Sequence, residues 1–254
     1  MTAARRTRAK AREKAAVVAR GTPAALTVAL EAGGLEAGGP EQSVAATFAG
    51  AEVVRLRLRR PKGPEPASVR MRFASTTPPG TYRGEIRVGE LTIPTTAEVQ
   101  PRAQLRADPS RLALTGAAGA DLSANVLLTN AGNVTVRLPE RSRVGLLAAG
   151  AWGDAFWFAL TEPNGEGARR FERFIEGLAD RAAGLAEIRL GAARTLDPGA
   201  SERLELSIRL PDRLEAGTTY HGTWEPEGLR LALRVTGQAA AAKAPRSRRR
   251  GGIR

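Results

Sequence analysis

The sequence predicts an all-β protein made of two β-sandwich domains in tandem, and three observations support this expectation. Short apolar runs alternate with polar residues between Gly, Pro and Asn turns over residues 22–237, as half-buried strands do. The phrase Gly-Thr-Tyr-x-Gly stands at residues 80–84 and again, with one more Thr, at residues 217–222. A short junction at residues 100–104 separates the two copies. We therefore expect one sandwich for each copy of the phrase.

The first predicted domain covers residues 22–101. We expect its first strand at residues 24–30, its last at residues 91–99, and two arginine-bearing strands near residues 54–59 and 69–73. Because alternate side chains of a strand point to opposite faces, the apolar residues should face the core and the arginines water. We interpret the arginine rows as a solvated sheet face, with a polyanion-binding surface as the alternative. The inward residues are Val54, Leu56, Leu58, Val69, Met71 and Phe73, and the outward ones are Arg55, Arg57, Arg59, Arg70 and Arg72.

The second predicted domain covers residues 104–237. It has an early strand at residues 122–130 and a turn at residues 131–133. Alternating apolar residues then predict a middle strand at residues 204–210 and a closing strand at residues 229–235. These signals are those of a second sandwich.

The order of signals matches between the two domains. Each has a Gly-Ala turn, an alternating strand and a proline, at residues 50–61 and 199–211, before the repeated phrase. We therefore expect these two strands to correspond, and either an additional strand in the first domain after Pro61 or a lost one in the second. Tyr82 and Tyr220 should anchor the corners before the late strands, each through its hydroxyl group.

An insertion at residues 145–194 breaks the strand pattern and holds six of the eleven aromatic residues. Apolar residues at helical spacing predict an amphipathic helix over residues 167–183. One interpretation lays this helix across the open edge of its own domain, over Trp157 and Phe158. The other leaves the aromatic side chains exposed as a surface that binds a protein partner. The candidate residues are Trp152, Phe156, Trp157, Phe158, Phe171 and Phe174.

The two sandwiches resemble the bacterial immunoglobulin-like repeat modules that occur in tandem in surface, cell-wall and enzyme-associated proteins. The resemblance is carried by the segments 128–133 and 196–200 and by the two Gly-Thr-Tyr-x-Gly phrases. It covers roughly residues 22–237 and fits poorly at the insertion. It implies immunoglobulin-like sandwiches that serve as spacers, adhesion units or partner-binding units, with no catalytic residue to transfer. Members of this family are commonly exported.

Most of the net charge of +13 lies at the two ends of the chain. Residues 1–21 form a predicted basic arm and residues 238–254 a predicted basic tail, and the body between them is nearly neutral. We expect the tail to be disordered and the arm to be a frayed helix or disordered. The alternative is salt-dependent binding of these ends to nucleic acid or another polyanion. The tail candidates are Lys243, Arg246, Arg248, Arg249 and Arg250.

The residue inventory excludes several kinds of site. The absence of cysteine excludes disulfides and thiolate metal sites, and a single histidine excludes a multi-histidine metal site. We predict no cofactor, no metal and no catalytic residue, and interpret His221 as an outward turn residue. Apolar runs are too short to span a bilayer or to form a secretory signal. The sequence thus predicts a cytoplasmic protein, with export as the alternative if the start codon is misassigned.

Two hypotheses for function follow. The first is a non-catalytic structural or protein-interaction module that holds a protein partner through its sandwich surfaces and aromatic insertion. The second is a protein that binds nucleic acid or an anionic surface through its basic ends. Buried aromatic residues in the insertion would favour a helix that covers its own domain, and exposed ones would favour a partner-binding surface.

Overall fold

The structure, a computed structural model, describes residues 17–30, 43–59, 67–161 and 167–239. These residues divide into two compact units. The first unit comprises the part of the chain up to residue 104 with the short segments 130–135 and 197–199, and the second unit comprises the remainder. Strands make up most of what is described, and the two α-helices lie in one insertion, so the expected predominance of β-structure is confirmed.

The first unit is formed by the strands β1 (Val17–Gly21), β2 (Leu26–Ala29), β3 (Val44–Phe48), β4 (Val53–Arg59), β5 (Ser68–Phe73), β6 (Gly80–Val88) and β7 (Leu91–Val99). They make two sheets, ordered β1-β7-β6-β3 and β2-β5-β4. The strand β1 runs parallel to β7, and the other pairs are antiparallel. Apolar side chains from both sheets, among them Phe73 and Ile86, are fully buried in one cluster. The unit is therefore a β-sandwich.

The two arginine-bearing strands are β4 and β5. In β5 the expected alternation is confirmed, since Val69, Met71 and Phe73 are buried and the arginines between them are exposed. In β4 the register against β5 shifts between Val53 and Arg55. This bulge turns Val54 outward, where 59% of it is exposed, because one extra residue reverses the faces of a strand. The inward prediction for Val54 was therefore wrong.

The strand β1 lies within the predicted basic arm, so the arm was drawn too long. Residues 17–21 pair with β7, and the prediction of a first strand at residues 24–30 describes β2, the second strand. Apolar periodicity could not reveal β1 because only Ala19 of its side chains is buried. Its order comes from backbone pairing in a parallel register, which leaves little trace in a sequence. Residues 1–16 lie outside the described residues.

The second unit is formed by β8 (Leu105–Asp108), β9 (Arg111–Ala117), β10 (Asp121–Asn130), β11 (Val136–Leu138), β12 (Arg141–Ala148), α1 (Ala151–Leu160), α2 (Gly167–Asp180), β13 (Ala182–Arg189), β14 (Arg194–Leu196), β15 (Ser201–Arg209), β16 (Thr219–Trp224) and β17 (Leu231–Gln238). Eight strands follow one another in the order β8-β10-β15-β13-β12-β16-β17-β9, and β11 pairs with β14. Strands from both ends of this order bury side chains in one cluster, including Leu128 and Leu231. The sheet therefore folds over a single core, as the two layers of a sandwich do.

The strand β13 joins the two halves of this sheet. Along one edge it pairs with β12, and along the other it pairs with β15 through Glu187–Arg209, Ile188–Ile208 and Arg189–Ser207. Ile188 and Ile208 are both fully buried at this junction. The pairing of β13 thus holds the insertion between β12 and β13 to the core.

The repeat is confirmed for the last two strands of each unit. The strand matched before the Gly-Thr-Tyr-x-Gly phrase was the wrong one. Both phrases lead into a strand that pairs with the last strand, and that last strand pairs in parallel with an early one, β1 or β9. By pairing, β15 lies beside β10 as β5 lies beside β2. The counterpart of β15 is therefore β5 and not β4. Similar Gly-Ala turns suggested β4 because turn chemistry is local and does not encode strand pairing.

The two tyrosine corners are confirmed. The Tyr82 hydroxyl donates a hydrogen bond to the Pro78 carbonyl oxygen at 2.7 Å, and the Tyr220 hydroxyl accepts one from the Glu215 N–H at 3.1 Å. Tyr220 is buried and Tyr82 is half-buried. Each ring therefore fixes the turn that precedes its strand.

A buried asparagine organises the turn segment of the first unit. The Asn133 side-chain amide donates to the carbonyl oxygens of Thr77 and Gln100 at 3.0 and 3.1 Å, and its oxygen accepts from the Arg102 N–H at 2.6 Å. The residue is only 2% exposed. Its segment was expected in the second sandwich, residues 104–237, whereas it belongs to the first compact unit. The side chain satisfies three backbone groups that the turn would otherwise leave unpaired.

Replacing this amide should destabilise the first unit strongly. Asn133→Asp keeps the shape but sets a carboxylate oxygen against two carbonyl oxygens, so we expect a loss of about 2–4 kcal/mol in the free energy of unfolding at neutral pH. Burial should raise the pKa of the new carboxyl, so the loss should shrink as the pH falls through that raised value. Urea unfolding at several pH values measures both effects. Asn125→Asp, the same change at an exposed position of β10, is the control, and equal losses in the two variants would contradict the role of Asn133.

The two tyrosine hydroxyls should differ in their contribution to stability. Tyr220→Phe leaves the Glu215 N–H without its partner in a partly buried setting and should cost about 1–2 kcal/mol. Tyr82→Phe frees an exposed carbonyl that water can reach, so its cost should be below about 1 kcal/mol. Chemical denaturation of the two variants measures the difference. A larger loss from Tyr82→Phe would contradict this assignment.

Candidate interaction surface

The predicted insertion, residues 145–194, was drawn too wide, because β12 and β13 extend into it; a helical hairpin lies between these two strands. The strands β12 and β13 are antiparallel neighbours, with Leu147 opposite Ala182 where the helices begin and end. Gly150 turns the chain into α1 with a φ of 83°, a value that favours glycine. Asp154 lies in the first turn of α1, where a negative charge is favourable. Both ends of the hairpin are thus fixed by the sheet.

The sequence predicted one of the two helices. The helix expected over residues 167–183 is α2, which ends at Asp180 because β13 begins at Ala182. The helix α1 was missed, since its aromatic residues spread around the helix and give no single stripe. A signal was present in Ala151, Ala155 and Ala159, which recur every four residues and are the buried residues of α1.

The two helices pack on each other through small residues. The alanine stripe of α1 is buried, and Gly177 is the buried residue of α2. A Cβ atom added at Gly177 would lie 3.1 Å from the Ala155 Cα atom and 3.2 Å from its Cβ atom. Small side chains on both sides allow the two backbones to approach closely. Consequently the large side chains do not fill the space between the helices and lie around it.

The outward side chains form an exposed aromatic surface. Trp157 is 70% exposed, Phe171 64% and Trp152 63%. The rings of Trp152 and Phe174 approach with centroids 5.8 Å apart and so join α1 to α2 on this surface. The interpretation that α2 lies across the sheet edge and covers Trp157 is therefore wrong, because the two helices pair with each other. Phe158, 44% exposed, does lie against α2 beside Gly177 and Arg173. We call this surface the aromatic surface; its residues are Trp152, Phe156, Trp157, Phe158, Leu160, Phe171, Phe174 and Ile175.

Polar contacts hold the two helices together. Arg181 donates to the Gly177 carbonyl oxygen at 3.0 Å and pairs with Asp154 of α1 at 3.4 Å. The guanidinium of Arg173 lies 5.7 Å from the centroid of the Phe158 ring. The described hairpin, residues 151–161 and 167–181, has four arginines and four acidic residues. Its interaction chemistry is therefore apolar rather than electrostatic.

A depression of about 590 Å³ lies beside the hairpin. Its lining includes Trp152, Arg111, Arg234 and His221. His221 is exposed, as expected, but it lies within β16 opposite Arg234 and not in a turn. Neither a carboxylate nor a serine is among the described lining residues, and Thr223 supplies a hydroxyl group.

The ion pair of Glu187 and Arg189 lies on β13, the strand that follows the hairpin. Two hydrogen bonds, of 3.0 and 2.9 Å, run from the Arg189 guanidinium to the Glu187 carboxylate. This hydrogen bonding lowers the pKa of Glu187 and raises that of Arg189. Each shift favours the charged form of its group, so the pair is a surface contact of the sheet and not a proton donor or acceptor.

Within the described ranges no three His, Asp or Glu side chains are grouped so that they could hold a metal ion. In the part of the chain that the structure describes, no helix combines the length and apolar character needed to span a membrane. The tail candidates Lys243, Arg246, Arg248, Arg249 and Arg250 lie outside the described residues. Polyanion binding by the basic ends therefore stays a prediction.

Comparison with known proteins finds only weak similarity, and only to solved structures. No family model matches the chain, and no curated protein matches it either. A solved structure of a titin fragment is 10% identical, covers 88% of this chain and 97% of its own, and has a TM-score of 0.27. Domains 4 and 5 of the S-layer protein SbsC are 15% identical over 63% of this chain and 66% of theirs, with a TM-score of 0.24. The fibronectin(III)-like modules of Clostridium thermocellum CbhA are 10% identical over 89% and 92%, with a TM-score of 0.19.

These TM-scores are too low to assign a fold, so the fold class rests on strand pairing. In the first unit a three-stranded sheet faces a four-stranded one, and in both units the first long strand runs parallel to the last. With the tyrosine corners, this is the arrangement of immunoglobulin-like sandwiches. The class is therefore an all-β protein of the immunoglobulin-like sandwich type.

Close packing of the helices should fail when Gly177 is enlarged. Gly177→Leu places a large side chain against Ala155, so we expect amide protection across residues 151–180 to fall by about 10-fold or more, while β15 to β17 keep theirs. Hydrogen exchange measured by peptide mass spectrometry reports both regions. Gly153→Leu is the control, because a Cβ atom there meets nothing within 4 Å and both changes remove a helical glycine. Unchanged protection in Gly177→Leu would contradict the packing.

Proposed function

We propose that the protein is a non-catalytic interaction module that holds a protein partner through the aromatic surface of its helical hairpin. The observation that carries this proposal is the exposure of Trp152, Trp157 and Phe171 on helices that already pack together through Ala and Gly. Exposed aromatic groups of this size are rare on monomeric surfaces unless they bind something. Tryptophan in particular is enriched among the residues that dominate interface energies.

The charge of the hairpin favours a protein partner over an anionic membrane. Helices that bind anionic lipid surfaces are rich in Lys and Arg on their polar face. The described hairpin instead balances its arginines with acids, as in the pairs Asp154–Arg181 and Arg173–Glu176. Apolar contact ringed by balanced charge is the composition of a protein interface, with an apolar core and a polar rim.

The sandwiches serve as the rigid support in this proposal. Both ends of the hairpin are tied to the paired strands β12 and β13, so the aromatic surface is presented in a fixed orientation relative to the second unit. The resemblance to bacterial surface, cell-wall and enzyme-associated modules supports the role of a spacer that carries a binding element. Part of this proposal is that the two units are immunoglobulin-like sandwiches in tandem, the first of which includes β1.

Replacing two exposed aromatic residues of the hairpin should strongly weaken binding of the partner. We expect Trp152→Gln with Phe171→Gln in the full-length protein to weaken binding about 30-fold or more, since one interface anchor is worth about 2 kcal/mol. Quantitative affinity capture, followed by titration of the purified partner, measures the change. Val54→Gln with Leu127→Gln, which changes exposed apolar residues on strands outside the hairpin, is the matched control.

Three outcomes would contradict the proposal. Undiminished binding by the Trp152→Gln, Phe171→Gln variant would place the partner elsewhere. A wild-type dimer that this variant dissociates, seen by sedimentation, would make the occupant a second copy of the chain. Wild-type binding to lipid vesicles that is lost in the variant would make it a membrane.

A further inference from the structure

We propose that the outer face of the β2-β5-β4 sheet binds the phosphate backbone of duplex nucleic acid. This face belongs to the first unit and is independent of the aromatic surface. Its three strands contain five arginines and no acidic residue. All five arginines are exposed. We call them the arginine grid: Arg55, Arg57, Arg59, Arg70 and Arg72.

Strand pairing sets the geometry of the grid. Arg57 stands directly opposite Arg70, and Arg55 directly opposite Arg72. Neighbouring strands are about 4.8 Å apart, and alternate residues of a strand are about 7 Å apart. The backbone positions of these four arginines therefore form a small rectangle. A depression of about 210 Å³ lies among these four side chains. Arg59 continues the row along β4.

This concentration of charge acts against folding. Like charges directly opposite each other on two strands are destabilising, and the grid has two such pairs. None of its arginines has an ion pair with an acidic group of the described residues. On the other sheet of the same unit, by contrast, Arg20 pairs with Glu98 and Arg87 with Glu85.

Composition explains the number of arginines but not their isolation. The chain is rich in Arg throughout, yet outside its two basic ends it is nearly neutral. An acid-free sheet of five arginines is therefore a local departure from the body of the protein. A ligand that supplies the missing negative charge would relieve the repulsion on binding.

The chemistry of the grid favours phosphates of a duplex. The planar guanidinium donates paired hydrogen bonds that match phosphate oxygens. Aromatic side chains, on which single-stranded bases stack, do not occur among the exposed residues of β2, β4 and β5. Large apolar side chains that would enter a bilayer are also lacking there, apart from Val54 at the bulge. The grid is therefore suited to contact the regularly spaced phosphates of a duplex without recognising its bases.

The test is binding of the full-length protein to a short mixed-sequence DNA duplex between 50 and 200 mM salt. Four phosphate contacts give a slope of about −3.6 in log affinity against log salt, so wild-type affinity should fall about 100-fold over this range. Arg55→Glu with Arg57→Glu removes two of the four contacts, so the magnitude of the slope should fall by about 1.8 and binding at 50 mM salt should weaken about 100-fold.

The same variant reports on folding. Each new carboxylate stands opposite a remaining arginine, Arg72 or Arg70, so repulsion becomes attraction and the melting temperature should rise. Binding that falls while the melting temperature rises cannot result from unfolding. A lower melting temperature in the variant would contradict the like-charge pairing on which the proposal rests.

Two further full-length variants locate the site. Arg203→Glu with Arg234→Glu makes the same change of charge at exposed positions of β15 and β17 and should leave most of the affinity. Replacing Arg246, Arg248, Arg249 and Arg250 by Gln tests the tail. The proposal would be overturned if the Arg203→Glu, Arg234→Glu variant lost as much affinity as the grid variant. It would also be overturned if the tail variant lost nearly all binding while the grid variant changed little. No wild-type binding at 50 mM salt, or binding only to anionic vesicles or a sulfated polysaccharide, would overturn it too.

Discussion

The pairing of β13 with both of its neighbours is the constraint on which the second unit depends. Through Ile188 and Ile208 it joins the two halves of an eight-stranded order around one core. Through its pairing with β12 it also closes the base of the helical hairpin. A break in this strand would therefore open the core and release the hairpin together, which ties presentation of the aromatic surface to the stability of the sheet.

The hairpin reverses the usual use of side-chain size in helix packing. Water-soluble helices generally bury their large apolar residues and expose their small or charged ones. Here Ala155 and Gly177 form the contact, and Trp152, Trp157 and Phe171 face outward. Close backbone approach compensates in part for the lost apolar burial through dispersion contacts. The exposed rings then retain free energy that binding can release.

The two proposed surfaces use opposite chemistry on the same kind of scaffold. A sandwich needs only one face of each sheet for its core, so the outer faces are free to change. The outer face of β4 and β5 exposes five arginines and little apolar area, whereas the hairpin exposes large apolar side chains and no excess of arginine. The first predicts an interaction that salt abolishes, and the second one that salt leaves largely intact.

The sequence by itself determined the strands that bury every second side chain, such as β5, and the tyrosine corners, because period and turn chemistry are local properties. It also located α2 and the arginine rows. Only the tertiary structure decided that β1 pairs with β7, that a bulge turns Val54 outward, and that α1 meets α2 through Ala155 and Gly177. It likewise set Arg57 opposite Arg70. These features depend on the register between distant segments, which is fixed by the shared core and by backbone hydrogen bonds rather than by neighbouring residues in the chain.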